Sequence, residues 1–491
     1  MEKKDTETTG DQRSVRVEKL QSLRDGNINP YPYKYDVTHR SQQILDNFDD
    51  LERSEEKVSI AGRIMTIRVM GKAGFCHILD DLGQIQLYFK RDVVGDEPYK
   101  IFKQLDLGDI IGCRGKVFRT KKGEISVWVE DFEMLAKALR PMPEKWHGLK
   151  DVETRYRQRY LDLISNRSVK ETFIARRNII RSIREFLDNE GFVEVETPVL
   201  QPLYGGGSAE PFVTHHNRLD MQLYLRIADE LYLKRLIIGG FEKVYEVCKD
   251  FRNEGIDRKH NPEFTMIELY QAYVDYNHIM DLFQRLLVHT ARSVLGTTKV
   301  TFQGNEIELD REWERLPMLE AIKKYADIDA ANLDDNGLVA ACKDKGIEIE
   351  EGRGRAKIID DVFTEKVEPN LIDPTFIIDH PLEMSPFAKI HRDNPKLTER
   401  FELFICQMEM GNAFTELNDP LDQRERFEIQ HQLSKLGDKE AQVMDEDFLR
   451  AMEHGMPPTG GLGFGVDRLV MLLTDQPNIR DVLLFPQLKP E

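Results

Sequence analysis

From Phe251 to Tyr270 the chain reads F-R-N-E-G-I-D-R-K-H-N-P-E-F-T-M-I-E-L-Y, with Arg252, Arg258, Lys259 and His260 set among Glu254, Glu263 and Glu268. Cations at this density can lie along a polyphosphate, and Phe264 and Tyr270 offer aromatic faces to a base. Gly255 and Asp257 mark a turn and Asn261-Pro262 a second break, so the spacing predicts a strand, a loop and a returning strand. A solvated charged hairpin fits the same residues, and the segment alone does not separate the two.

Two further clusters have the chemistry to share a site with it. Glu402 and Glu409 stand in R-F-E-L-F-I-C-Q-M-E-M-G-N-A-F-T-E. Their odd spacing puts them on opposite faces of a straight strand, so both face one site only if the chain bends between them, near Gln407, where no turn glycine stands. Hard carboxylate oxygens suit Mg2+, which takes one or two carboxylates together with substrate phosphates; solvent-facing strand glutamates are the alternative. In T-G-G-L-G-F-G-V-D-R-L, Gly461, Gly463 and Gly465 alternate, leaving one strand face bare for a flat ligand, and Arg468 falls in the first turn of the helix that follows. Gly205-Gly206-Gly207 allows close backbone approach or the motion of a lid.

The scaffold for these residues is long enough for two or three domains, at 491 residues. With 32% charged residues and no long apolar run, it is expected to be soluble and free of a membrane span. Its polar start, M-E-K-K-D-T-E-T-T-G-D-Q, lacks the apolar core of a signal peptide and is expected to be disordered, with cytoplasm the default location. The five cysteines follow no C-x-x-C spacing, so neither a zinc knuckle nor a disulfide framework is indicated, and reduced core thiols are the better reading. The net charge of −18 argues against a nucleic-acid partner until the chain is divided: residues 1–150 hold 26 Lys/Arg against 25 Asp/Glu, so the acidity belongs to the rest. A basic face on the smaller part can still meet phosphate, because charges beyond ~10 Å are largely screened.

Val15 to Leu23 and Ser41 to Leu51 have helical spacing, the latter with a capping Ser. From Val58 the period changes to two, and about five short strands follow in F-C-H-I-L, Q-I-Q-L-Y-F, G-D-I-I-G-C-R-G-K-V and E-I-S-V-W-V-E and their neighbours. Five strands in this length suit a small closed barrel of the OB type, which binds single-stranded nucleic acid on exposed aromatics beside cations. Phe75, with Arg63, Arg68 and Lys72, fits that use; a strand-core Phe is the alternative. Arg140-Pro-Met-Pro-Glu-Lys-Trp-His-Gly reads as a linker, D-V-E-T-R-Y-R-Q-R-Y-L-D-L as one cationic helix with solvated arginines, and Glu171 to Glu190 as an amphipathic helix before the strand F-V-E-V-E-T-P-V-L. Leu223 to Ile237 gives a strand and a helix, and residues from Met280 to Pro381 look mostly helical.

These motifs resemble the class II aminoacyl-tRNA synthetases. F-R-x-E followed by H-N-P-E-F-T is similar to their motif 2, the helix, strand and Pro198 to motif 1, and G-L-G-x-G-x-D-R to motif 3. With Glu268 and Tyr270 after motif 2, and G-G-x-x-A-x-P-F from Gly205 to Phe212, the chain looks like the lysyl-tRNA synthetase family. One departure stands at Asp229, where the family's A-P-E-L-Y-L-K has Pro; it is expected to add a carboxylate at the pocket edge.

The resemblance implies an α+β fold, an N-terminal OB-fold β-barrel plus a catalytic domain built on a mainly antiparallel sheet flanked by helices. The implied divisions are 1–55 for an N-terminal extension, 56–140 for the anticodon-binding barrel, 141–170 for a linker and helix, and 171–491 for the catalytic domain with a helical insertion at about 280–380. The implied reaction joins L-lysine to tRNA(Lys) through a lysyl-adenylate made from ATP with Mg2+ on Glu402 and Glu409, in a homodimer. Arg252 and Arg468 would be catalytic. Arg252 would bridge carboxylate and α-phosphate, Lys259 and His260 face the outer phosphates, Phe264 and Arg468 sandwich adenine with Glu254 at its amino group, and Gly463 lie along the nucleotide. Glu230 would meet the α-ammonium, Gly206 would belong to the segment that closes over the lysine, and Glu268 and Glu416 would meet the ε-ammonium, with Tyr270, Asn412 and Phe414 completing the pocket. Phe75, Gln86 and Glu130 would read the anticodon beside Arg63 and Arg68. A paralogue that moves lysine onto a protein and a non-catalytic RNA-binding regulator are the other readings; the first has no use for an intact barrel, and the second none for Arg252, Glu402, Glu409 and Arg468.

Overall fold

A computed structural model of the chain describes residues 2–142, 149, 151–350, 352–435 and 442–490. The chain divides into two compact units, Met1–Lys150 and Asp151–Glu491. The linker expected at 140–148 lies largely outside the described residues.

In the first unit, strands Lys57–Met70, Ala73–Leu79, Gln84–Lys90, Ile125–Ala136 and Ile110–Arg119 close into a barrel in that spatial order. Alternation sends Ile60, Ile78, Leu87, Ile111, Val127 and Val129 inward, where they are buried in one core. A helix spans Glu2–Asp25, with Leu20 and Leu23 buried and Arg16 donating to the carbonyls of Leu107, Ala138 and Arg140. The expected helix at Ser41 to Leu51 is two, Ser41–Asp46 and Phe48–Ser54, broken at Asn47. Ser41 is the first helical residue rather than the cap, and its hydroxyl donates to Asp80.

The second unit is built on an eight-stranded sheet. Its order is Glu314–Pro317, Thr375–Ile378, Arg400–Ile405, Met408–Thr415, Thr459–Gly465, Glu263–Ala272, Lys243–Phe251 and Val193–Glu194. The six central strands are antiparallel, and only the outermost pair at each end is parallel. Helices Arg167–Asn189, Tyr276–Leu295 and Val466–Leu473 bury Ile183, Phe283 and Val470 in the core that also takes one face of this sheet through Leu269, Leu403 and Phe464. The opposite face carries polar side chains along its middle and smaller apolar clusters at its ends, through Ile377 and Phe404 on one side and Val244 and Ala272 on the other.

The cationic helix is also two, Val152–Arg157 and Arg159–Ser165, and Arg159 is not solvated. It is buried against Asp162 and donates to the carbonyls of Arg480, Leu483 and Leu484. The region 280–380 is less helical than expected. It holds the hairpin Lys299–Phe302 with Asn305–Glu308 and two edge strands of the main sheet, and its helices Met318–Ala326, Asp335–Asp344 and Arg355–Val362 have their own core.

Candidate functional site

The register of the sheet brings distant residues into rows. Glu268 pairs with Glu246 on one side and Gly463 on the other, Gly463 pairs with Asn412, and Asn412 with Glu402. The next row runs Val244, Tyr270, Gly461, Phe414 and Arg400. Residues two apart share a face, so Phe264, Met266, Glu268 and Tyr270 stand along one side of a glycine floor, and Asn412, Phe414, Arg400 and Glu402 along the other. A side chain at Gly461 would collide with the Glu416 carboxylate and the Tyr270 ring, and a Cβ at Gly463 would touch Glu268 Cγ at 3.5 Å. These residues line one cavity of about 440 Å3, together with Gly206, Glu230, Arg252, Glu254, Lys259, His260, Glu409 and Arg468.

The bend required between Glu402 and Glu409 exists as a tight hairpin turn at Cys406 and Gln407, both left-handed at φ 50° and 64°. It forms without glycine. Lys259 fixes it from outside the hairpin, donating to Gln407 O at 2.7 Å and to Glu368 Oε1 at 2.9 Å.

At the cationic end, the Arg252 guanidinium lies 5.2 Å over the Phe264 ring, and its buried Nε has no partner. Arg468 donates to the carbonyl and Oε2 of Glu409 at 2.6 and 3.0 Å, and to His260 Nε2 at 3.2 Å. His260 Nδ1 meets Asp257 at 2.8 Å, so the ring proton sits on Nδ1. The protein itself therefore places Arg252, not Arg468, over Phe264. Arg400 donates to Glu402 Oε1 at 2.6 Å and to Asn412 Oδ1 at 3.2 Å. Burial would raise the Glu402 carboxyl, but Arg400 and His380 hold it well below the usual range, so it stays ionised. One oxygen of Glu402 and one of Glu409 are thus engaged by arginine; Glu402 Oε2 has His380 Nε2 at 3.7 Å, outside hydrogen-bond distance, and with the second oxygen of Glu409 it makes a donor set that fits Mg2+. Glu254 is exposed at the rim.

The opposite end is acidic and buried. Tyr270 donates to Glu268 Oε2 at 3.1 Å. Lys234, fully buried, donates to Glu230 at 2.5 Å and to Glu416. Burial favours its neutral amine, but the two carboxylates outweigh that and raise its pKa. Gly206, left-handed at φ 83°, presses its backbone toward Glu230, where an added Cβ would come within 2.9 Å of the Glu230 Cβ. Asp229 is not at the pocket edge: it is fully buried, with the Cys248 thiol donating to its Oδ1 at 3.5 Å. Beside it lie Asp250, Glu246 and Arg226, which pairs with Glu246 at 2.7 Å and approaches Asp250 at 3.4 Å.

Sequence reasoning missed Lys234, Arg226, Glu246, Asp250, Arg400 and His380. Part of the signal was present. Glu246, Cys248 and Asp250 alternate along the strand Lys243–Phe251 and so face the same way as their partners Glu268, Met266 and Phe264.

On the barrel, Phe75, Gln86 and Tyr88 share an outer face. The ring of Phe75 is 4.8 Å from Tyr88, which meets Trp128 at 5.1 Å and Phe118 at 5.8 Å, so Phe75 is one member of a four-ring platform. Arg68 stands opposite Phe75 in the register. Arg63 does not join them: it pairs with Leu79 and donates to Gly108 O at 2.9 Å. Gln86 is held at both ends of its amide, by Glu124 at 2.7 Å and Ser126 at 2.9 Å. Glu130 pairs with Lys57 at 2.7 Å.

Residues 151–489 match the family described as tRNA synthetases class II (D, K and N), and residues 58–135 match the OB-fold nucleic acid binding domain. The chain is 58% identical over 477 residues to a lysine–tRNA ligase of Carboxydothermus hydrogenoformans, covering 97% of each. It is 56% identical to the lysine–tRNA ligase of Moorella thermoacetica, covering 99% of each, and 54% identical to that of Bacillus subtilis, covering 98% of each.

Proposed function

The chain belongs to the lysine–tRNA ligases among the class II tRNA synthetases, and we propose that lysine and ATP meet over the glycine floor of Gly461 and Gly463. The family reaction joins lysine to tRNA through an adenylate. A lysine carboxylate oxygen attacks the α-phosphorus of ATP, the bond from that phosphorus to the bridging oxygen breaks, and pyrophosphate leaves. The terminal ribose 3′-hydroxyl of tRNA(Lys) then attacks the adenylate carbonyl, AMP departs with the electron pair, and the hydroxyl proton is lost. The first nucleophile is already ionised, so that step rests on alignment and charge neutralisation.

Arg252, whose Nε has no hydrogen-bond partner among the described residues, bridges the lysine carboxylate and the α-phosphate. Lys259 and His260 serve the outer phosphates; Phe264 and Arg468 take the adenine, with Glu254 at its amino group and Gly463 beneath the nucleotide. Glu402 and Glu409 would hold Mg2+, which supplies charge neutralisation on the phosphates. Glu230 and Gly206 receive the α-ammonium. Glu268, Tyr270 and Glu416 receive the ε-ammonium, since an ion buried without a partner costs several kcal/mol, and Asn412 and Phe414 form the facing wall.

The observation that carries this reading is the row Glu268, Gly463, Asn412 and Glu402, which sets Glu268 and the arginine-paired Glu402 on either side of one bare floor. Lysine-dependent ATP–pyrophosphate exchange tests it, followed by charging of tRNA(Lys). Absence of exchange removes the reading, and exchange without charging favours transfer of lysine to another acceptor.

The aromatic platform with Phe75, Gln86, Glu130 and Arg68 takes the anticodon, and Arg63 is a support of the barrel. The partner of the chain is a second copy. In support, Phe485 is 75% exposed, and Leu484 and Ile174 are also exposed beside the helix Arg167–Asn189. The setting is the cytoplasm, in keeping with five free, buried cysteines. Among the described residues no helix is long and apolar enough to cross a membrane.

A further inference from the structure

We infer that Asp229 and Glu268 form a proton-sharing pair behind the lysine pocket, so that entry of the substrate ε-ammonium drives a proton out of the protein. The inference rests on the assignment of Glu268 to that ammonium.

Both side chains are buried, Asp229 completely, and their carboxyl groups lie within hydrogen-bonding reach of each other. Neither finds a cation. Asp229 Oδ1 has only the Cys248 thiol and Oδ2 has no donor, while Glu268 has only the Tyr270 hydroxyl. The neighbouring cations are committed elsewhere: Arg226 to Glu246 and the backbone carbonyls of Lys249 and Thr197, with Asp250 at 3.4 Å, and Lys234 to Glu230 and Glu416. The remaining groups packed on the pair are carboxylates, Asp250 and Glu246 from one strand and Glu230 from the helix Glu230–Ile238. Two carboxylates in contact in such a place do not both ionise, and one shared proton turns their repulsion into an O–H···O bond. Burial first, and then these neighbouring carboxylates, push both carboxyls well above the usual range.

An ammonium arriving at Glu268 favours its ionised form. The proton leaves as the ammonium enters, and the buried charge of the chamber is conserved. Because a proton is released, lysine affinity rises with pH, about tenfold per unit between the bound and free values of the pair. Asp229 acts through Glu268 and is a positioning residue. In Asp229→Asn the amide donates the bond that the shared proton supplied, and lysine then binds without proton release.

Calorimetry of L-lysine binding to the full chain, at pH 7.5 in buffers of different ionisation enthalpy, measures the exchange. At that pH Asp250, pushed up to about 6, is already ionised and is not the source; Glu416, pushed up to about 8 by burial, is the rival source, and a release that survives Asp229→Asn belongs to it. The expected result is release of about one proton per lysine by the native chain and almost none by Asp229→Asn. Lysine binding without proton release, or equal release by both proteins, overturns the pair. Absence of lysine binding to the native chain instead overturns the pocket assignment beneath it. Should Asp229→Asn not fold, the infrared difference spectrum of the native chain on adding lysine decides: loss of a protonated-carboxyl C=O band supports the pair, and no change in that region overturns it.

Discussion

The ammonium of Lys234 is wedged against the carboxylate of Glu416, and neither side chain is reached by solvent. Glu230 holds the same ammonium from the other side, and the rings of Phe387 and Tyr270 stand 5.1 and 5.9 Å from it. One cation of the chamber is therefore part of the protein. It fixes Glu230 and Glu416 in place and leaves an excess of negative charge for a substrate that brings two ammonium groups.

Removal of that cation is expected to be severe. Lys234→Met leaves two carboxylates buried without a partner, a change that costs about 3–5 kcal/mol in comparable sites, and its denaturant midpoint and exchange activity both fall. Glu416→Gln keeps a hydrogen-bonding partner for Lys234 while removing charge. It is expected to weaken lysine binding by about tenfold or more, a loss of about 1.4 kcal/mol, and to leave ATP binding nearly unchanged. Equal losses for both ligands, measured by exchange kinetics, count against Glu416 as a lysine contact.

The glycine floor is testable by its unequal clearance. At Gly461 an added methyl meets Glu416 and Tyr270 inside van der Waals contact, whereas at Gly463 it meets Glu268 and Met266 at 3.5 Å. Gly461→Ala is expected to lower stability by about 1–3 kcal/mol, the range for overpacked cores, and to raise KM for lysine. Gly463→Ala should unfold at nearly the native midpoint and raise KM for ATP. Thermal unfolding with exchange kinetics on both variants compares them, and the opposite ranking contradicts the geometry of the floor.

The legible parts were those in which local period forces a placement. Gly461, Gly463 and Gly465 alternate because a strand face must be bare, and the strands of the barrel alternate because its interior must be apolar. The illegible parts were decided by contacts far along the chain. Glu230 and Lys234 have the i, i+4 spacing of an exposed helical ion pair, and only Glu416, far away in sequence, turns that pair inward. Arg159 is buried because the carbonyls of Arg480, Leu483 and Leu484 converge on it. The turn at Cys406-Gln407 carried no signal because two-residue hairpin turns favour Asn-Gly or Gly-X, and here non-glycine residues take the left-handed conformation.

On the barrel, the platform of Phe75, Tyr88, Phe118 and Trp128 is the place proposed for the anticodon, and Phe75 tests that role apart from amino-acid activation. Stacking of one base on an aromatic ring is worth about 1–3 kcal/mol, so Phe75→Ala is expected to lower kcat/KM for tRNA(Lys) charging by roughly 10- to 100-fold. ATP–pyrophosphate exchange without tRNA should stay at the native rate. A loss of exchange equal to the loss of charging would place Phe75 in the folding of the chain rather than in anticodon binding.

Asp250 supplies a pH dependence whose sign follows from its surroundings. Burial raises its carboxyl pKa to about 6, against the lowering by Arg226 and Arg252, and neither of its oxygens has a hydrogen-bond donor. A carboxyl with a folded-state pKa above its unfolded value binds its proton more tightly in the folded state. Its contribution to stability is complete below about 4 and is lost as pH rises through about 6. Asp250→Asn keeps the shape and has no proton to lose, so its stability relative to the native chain should increase between pH 4.5 and pH 7 and then level off. Arg226 retains Glu246 at 2.7 Å in the variant, so no cation is stranded by the change. Urea midpoints of both proteins across that range measure the difference. A variant that loses ground to the native chain as pH rises would mean that Arg226 and Arg252 hold Asp250 ionised throughout.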